Sequence, residues 1–312
     1  MPEYLHRHPE FADLIRIVGE DMGIIPALVE KDYWIMHCLF SLKQAGFQFE
    51  LKGGTSLSKG FGLIERFSED IDLRIDPPET LGVATGRNQN KPKQVESRQT
   101  FYDWLAHNIS INGIEVVERD RAFDDVKFRS GGIRLLYKPT STEAVDLKDG
   151  VLLEVGFDDV TPNEAADISS WAYDYAVDRV DIIDNRALGI LCYHPGYTLV
   201  EKLQTISTKY RTQRLTGEFP VNFLRHYYDI FCLLGNADVQ AFVGSQPYLD
   251  HEERRFRSEE RDLTINPAFG LLEPSIFAEY ERAYESTRSL YYLRRPTFSE
   301  IMQRIRDFAE RL

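Results

Sequence analysis

Between Lys52 and Leu73 the chain reads Lys-Gly-Gly-Thr-Ser-Leu-Ser-Lys-Gly-Phe-Gly-Leu-Ile-Glu-Arg-Phe-Ser-Glu-Asp-Ile-Asp-Leu, and no other stretch limits the fold so tightly. If its last four residues lie in a strand, the two-residue period puts Asp70 and Asp72 on one face and Ile71 and Leu73 on the other. Two carboxylates then converge where a hard divalent cation can sit. Magnesium takes one or two carboxylates and fills its shell with water and substrate phosphates. Gly53 and Gly54 lack a Cβ, so their amides can approach a phosphate closely. The pattern predicts a helix over Ser56–Glu65 with Leu57, Phe61 and Ile64 on one side, its N-terminus adding partial positive charge. The segment is not a P-loop, since no Gly-Lys-Ser/Thr follows four free positions after a glycine. Alone, Gly-Gly-Thr suits any turn before a helix and Asp-x-Asp any solvated strand edge; the ordered series is the specific signal.

That order of strand, Gly-Gly-Thr, helix and Asp-Ile-Asp-Leu resembles the nucleotidyltransferase superfamily of the DNA polymerase β type. The wording Leu-Lys-Gly-Gly-Thr-Ser-Leu-Ser-Lys with Arg-Phe-Ser-Glu-Asp-Ile-Asp-Leu is similar to the AbiEii/AbiGii toxin family, and Val29–Ile35 (Val-Glu-Lys-Asp-Tyr-Trp-Ile) extends the likeness upstream. Fifteen residues separate Gly54 from Asp70, a little more than the usual superfamily gap. The resemblance implies an α+β fold, with a nucleotidyltransferase-type mixed sheet, flanking helices and a C-terminal helical lobe. It also implies magnesium as cofactor and a nucleoside triphosphate as substrate. Asp70 and Asp72 are then catalytic and metal-binding, with Gly53, Gly54, Thr55, Ser56, Lys59 and Ser68 as candidate nucleotide contacts.

The 312 residues and 43% hydrophobic content allow a substantial core, read as residues 1–160 and a mostly helical 161–312. The apolar runs fall short of a bilayer span and the N-terminus lacks an apolar signal core, so a cytoplasmic protein with no membrane partner is expected. Cys38, Cys192 and Cys232 are too few and too scattered for a disulfide framework or zinc knuckle. A net charge of −13 opposes broad nucleic-acid binding but not a compact nucleotide held through metal.

Two N-terminal helices are predicted, one through Phe11, Leu14, Ile15, Val18 and Met22, the next from Pro26 through Leu28, Ile35, Leu39 and Leu42. Lys31 and Asp32 on the second read as a solvated face. Residues 47–51 read as a strand, and the polar run from Asp76 to Arg98 as a loop whose Arg87, Lys91, Lys93 and Arg98 can meet solvent or an RNA backbone. After a helix through Phe101, Trp104, Leu105 and Ile109, strands are expected at 114–118, 125–128, 133–137 and 151–157. Glu154 is the one charged residue in Val-Leu-Leu-Glu-Val-Gly-Phe, and a buried lone carboxylate needs a cation or a metal. It is the candidate third metal ligand, or else an edge or arginine-paired residue. Asp158–Asp184 reads as a connection leaving the sheet.

From Thr198 the pattern is helical, with Lys202 beside the apolar face of Leu199, Leu203 and Ile206, either snorkelling outward or aimed at phosphates. In the helix Arg225–Phe231, Asp229 can pair with Arg225 one turn away. By resemblance, Lys202 and Asp229 instead complete the catalytic set, while His226 reads as a packed histidine. Residues 251–262 mix both charges, 271–293 read as helix with Tyr280, Tyr284, Tyr291 and Tyr292 as packing or a base platform, and a last helix carries Ile301, Ile305 and Phe308.

The combined expectation is nucleotidyl transfer to an acceptor hydroxyl by a bacterial toxin or phage-defence protein with a cognate antitoxin, the site lying between the sheet and the helical half. RNA or tRNA is the implied acceptor. The alternatives are nucleotide transfer to a protein hydroxyl, and a non-catalytic relative that binds nucleotide or a partner.

Overall fold

Alternation alone makes Asp70–Ile75 a strand: Ile71, Leu73 and Ile75 are buried to within 1% while Asp70, Asp72 and Arg74 share the opposite face. In the computed structural model, which describes residues 2–140, 147–220, 222–288, 291–293 and 295–312, this strand is β2. Around it lie β1 (Phe49–Lys52), β3 (Ile114–Asp120), β4 (Ser130–Tyr137), β5 (Val151–Gly156), β6 (Asn163–Ile168) and β7 (Ala187–Tyr193). Among the described residues these seven form one sheet in the order β3-β4-β5-β2-β1-β7-β6. It is mixed: β2 runs parallel to β5 and β1 to β7, and the other neighbours are antiparallel.

The chain forms two compact units, Met1–Phe61 with Phe67–Tyr193, and Gly62–Arg66 with His194–Leu312. The first holds the sheet, α1 (Phe11–Met22), α2 (Pro26–Gln44), the single turn α3 (Gly53–Thr55), α4 (Pro92–Asn108) and α5 (Trp171–Ala176). Pro26 opens α2 at a position where its missing N–H costs nothing. Val29, Tyr33, Met36 and Leu39 of α2, with Leu51, Ile71, Leu73, Leu153 and Val155 of the sheet, are fully buried and supply the core.

The second unit contains α6 (Pro195–Thr216), α7 (Arg225–Leu233), α8 (Ala237–Phe242), α9 (Gln246–Arg255), α10 (Pro267–Gly270), α11 (Pro274–Glu285) and α12 (Phe298–Phe308). Its core is aromatic. Tyr227, Tyr280 and Phe298 stand edge to face, and Tyr227 and Tyr280 donate to the Ala268 carbonyl and Gln213. Tyr280 and Tyr284 are fully buried, so they pack and offer no platform to a base.

Several sequence expectations are corrected. Lys31 and Asp32 are not a solvated face: both are 1% exposed, because α2 is enclosed on all sides and each charge has a partner. The helix expected through Glu65 ends at Gly60, after α3 and a wider π turn over Ser56–Gly60, and Gly62 follows in the left-handed region. Residues 125–128 form a turn, with Val126 95% exposed and the Asp125 carboxylate accepting the Arg129 N–H. The supposed connection 158–184 contributes β6 and α5; β6 is a polar edge strand recognisable only through its pairing with β7. Arg98 belongs to α4, fully buried, and donates to the carbonyls of Ala84, Gln89 and Lys127 instead of facing solvent. In place of a helix over 271–293, α11 covers Pro274–Glu285; residues 289–290 lie outside the described ones.

Among the described residues no helix is long and apolar enough to cross a membrane. Leu153 sits fully buried at the centre of the sheet, so Leu153→Ala should cost about 2–5 kcal/mol, read as a lower urea midpoint of the first unit.

Candidate active site

The register of β2 against its two neighbours assembles the site. Lys52 of β1 stands opposite Asp72, and Asp72 stands opposite Glu154 of β5. Facing residues of paired strands share a side, so Asp70, Asp72 and Glu154 occupy one face of the sheet. Burial, then Asp72 and Asp70, push the Glu154 carboxyl up to about 7, with Lys148 and Lys52 acting in the opposite direction. Burial is the largest of these causes, and the two neighbouring carboxylates add to it.

Asp70 is held at both ends. Its carbonyl accepts the Thr55 hydroxyl at 2.6 Å, and its Oδ2 accepts the Lys148 ammonium at 2.7 Å. Its Oδ1 is buried and has no hydrogen-bond partner among the described residues. Gly53 closes over the neighbouring carboxylate: its φ is +72°, and a Cβ there would lie 2.0 Å from Asp72 Oδ2. Only glycine permits this approach.

The other candidate nucleotide contacts are distributed unevenly. Gly54, Thr55 and Ser56 are buried, with the Thr55 hydroxyl committed to Asp70 and the Ser56 N–H to the Gly53 carbonyl. Lys59 is drawn 2.8 Å from Asp32 and lies over the Trp171 ring, and Ser68 is half-buried. Asp32 also accepts the Trp171 N–H at 2.8 Å; burial raises its pKa and Lys59 opposes this.

Lys202 and Asp229 meet within the second unit. Asp229 is fully buried and accepts Arg66 through both oxygens at 2.6 and 2.7 Å and Lys202 at 2.6 Å. Burial alone would raise this carboxyl, yet Arg66 and Lys202 hold it well below the usual carboxylate range. Asp229 thus pairs with Arg66 and Lys202, and Lys202, at 6% exposure, does not snorkel outward. His226 is packed and its pKa falls well below the ordinary value through burial.

Sequence reasoning missed three contributors: Arg66, Lys148 and the Lys31–Glu69 pair at 3.6 Å. Arg66 lies 163 positions from Asp229, so no spacing rule connects them. The one available signal was chemical, that a carboxylate in an apolar helix requires a cation.

A family model for the nucleotidyl transferase AbiEii toxin of type IV toxin–antitoxin systems matches residues 34–306. The chain belongs to the AbiEii family. It is accordingly an enzyme of the nucleotidyl transferase class, in the family of type IV toxin–antitoxin toxins. No curated protein sequence matches. Similar solved structures include JHP933 from Helicobacter pylori, at 15% identity and TM-score 0.45 over 92% of each chain. Another is an antigenic nucleotidyltransferase-like protein from Paracoccidioides brasiliensis, at 14% identity and TM-score 0.32 over 73% of this chain and 94% of that one.

Two outcomes follow for this AbiEii member. Gly53→Ala should destabilise the first unit by about 1–3 kcal/mol, seen as a lower melting temperature, because it adds left-handed strain and displaces Asp72. A raised carboxyl pKa means stability is lost as pH climbs through the range from about 4.5 to about 7. Glu154→Gln should therefore stabilise the metal-free protein by about 1–3 kcal/mol at pH 8 and by little at pH 4, measured by urea melts at both.

Proposed function

We propose that the chain transfers a nucleoside monophosphate from a nucleoside triphosphate to an acceptor hydroxyl, with magnesium held at Asp70 and Asp72. The observation that carries this reading is the buried Asp70 Oδ1, which has no hydrogen-bond partner among the described residues, beside Asp72 and Glu154 on one face of the sheet, with Gly53 packed against Asp72. Among the described residues no three His, Cys, Asp or Glu side chains are placed to hold a metal ion by themselves. Magnesium does not require such a set, since water and phosphate oxygens complete its shell. When bound, it would polarise the α-phosphate and lower the pKa of the acceptor hydroxyl.

The chain's own groups divide the remaining work. Asp70 and Asp72 supply the negative charge that holds the ion, and Glu154 adds a third carboxylate on the same face. The amides of Gly53 and Gly54, with Thr55, Ser56, Lys59 and Ser68 around them, receive the triphosphate so that pyrophosphate leaves opposite the incoming hydroxyl. Lys202, held by Asp229 within the second unit, is the remaining catalytic candidate with Asp229 itself, a role assigned on family resemblance.

The acceptor is RNA, tRNA among the candidates, and the partner is a cognate antitoxin in the cytoplasm of a bacterium; phage defence is the setting the family suggests. The net charge of −13 favours a second reading, a protein hydroxyl as acceptor. Incubation with each α-labelled nucleoside triphosphate, magnesium, total bacterial RNA and lysate protein distinguishes the two. Label should pass to RNA and fall at least about a hundredfold in Asp70→Ala and Asp72→Ala; Lys202→Met tests the lysine in the same assay. Label on protein would support the second reading, and nucleotide binding without transfer to either would overturn both.

A further inference from the structure

Lys148 is a residue the sequence does not single out, and its geometry is unusual. Its backbone is clamped while its side chain is not. The Lys148 N–H donates to Glu69 Oε2 at 3.1 Å and its carbonyl accepts the Lys31 ammonium at 2.6 Å. The Lys31 and Glu69 side chains are only 2% and 6% exposed, so the anchor is built into the interior of the first unit. From that fixed Cα, four methylenes carry the ammonium to Asp70 Oδ2 at 2.7 Å, with the side chain 33% exposed. The ammonium also lies 5.4 Å from the Phe123 ring centroid.

We infer that Lys148 is an exchangeable counter-cation of Asp70: it neutralises the carboxylate in the free protein and moves to a phosphate oxygen of the nucleotide when the metal ion takes its place. This rests on the metal and nucleotide reading above. An ammonium on Asp70 and a divalent ion on the same carboxylate lie within a few ångströms of each other. At that separation like charges repel even at an effective dielectric constant of about 20. The ammonium is the partner able to leave, because it is partly solvated and flexibly tethered, whereas Asp70 is fixed by Thr55. A triphosphate arriving with the ion brings the anionic oxygens that a displaced lysine needs. Nothing covalent changes; one charge pairing is traded for another.

The test measures two affinities that should move in opposite directions. Manganese binding without nucleotide is followed by electron paramagnetic resonance, and nucleoside triphosphate KM by the labelling assay, in wild type, Lys148→Met, Lys148→Arg and Asp70→Ala. Lys148→Met should bind manganese about tenfold more tightly and raise the KM about tenfold, with Lys148→Arg restoring most of the nucleotide affinity. A lysine with a merely structural role would weaken both together or neither. Manganese affinity unchanged or lowered in Lys148→Met, or an unchanged KM, overturns the inference. If Asp70→Ala binds manganese as well as wild type does, the metal reading itself falls and takes the inference with it, an outcome distinct from failure of Lys148 alone. Melting curves of all variants identify misfolding, which is not expected for Lys148→Met because the residue's anchoring contacts are made by its backbone.

Discussion

Three consecutive charged residues in the interior, Glu30, Lys31 and Asp32, set the terms for the first unit. Each is at most 2% exposed, and a buried charge without a partner costs several kcal/mol. Successive helix positions point about 100° apart, so no single partner can satisfy all three. Glu30 takes the N–H and hydroxyl of Thr140, Lys31 takes Glu69 and the Lys148 carbonyl, and Asp32 takes Lys59 and the Trp171 N–H. One turn of α2 therefore ties down three separate stretches of backbone. One of these stretches, at Lys148, reaches a carboxylate of β2.

The opposite electrostatic condition holds on the sheet face. Asp70, Asp72 and Glu154 are brought together by register, and the positive charge near them, from Lys52 and Lys148, leaves Glu154 with a raised pKa. Paired charges inside α2 thus contrast with the gathered carboxylates of β2 and β5. Carboxylates gathered on one face of a well-packed strand are the arrangement expected where a cationic ligand contributes part of the native stability.

The legible part of the site was the part with short-range periodicity. The Asp-x-Asp alternation and the lone Glu154 in an apolar strand could be read because a strand's period is two and a carboxylate in such surroundings is conspicuous. What escaped was set by contacts distant in sequence. Lys31 and Asp32 looked solvated because burial of a charge depends on partners that no local pattern reveals. β6 escaped because an edge strand of the composition Asn-Glu-Ala-Ala-Asp-Ile has no apolar alternation. The helix after Gly-Gly-Thr was drawn too long because Gly60, packed against Cys192, and left-handed Gly62 ended it earlier than its apolar spacing suggested. Arg66 and Lys148 were invisible for the same long-range reason.

The short excursion Gly62–Arg66 has a consequence for modularity. The chain leaves the first unit after Phe61, gives five residues to the second, and returns at Phe67. Among those five is the arginine that grips Asp229 through both oxygens. Neither unit is thus a continuous segment of polypeptide, and cutting the gene at the junction after Tyr193 would strip the helical unit of the guanidinium its buried carboxylate depends on. Recombination between relatives would have to exchange both pieces at once, which ties the inheritance of the sheet to that of the helices.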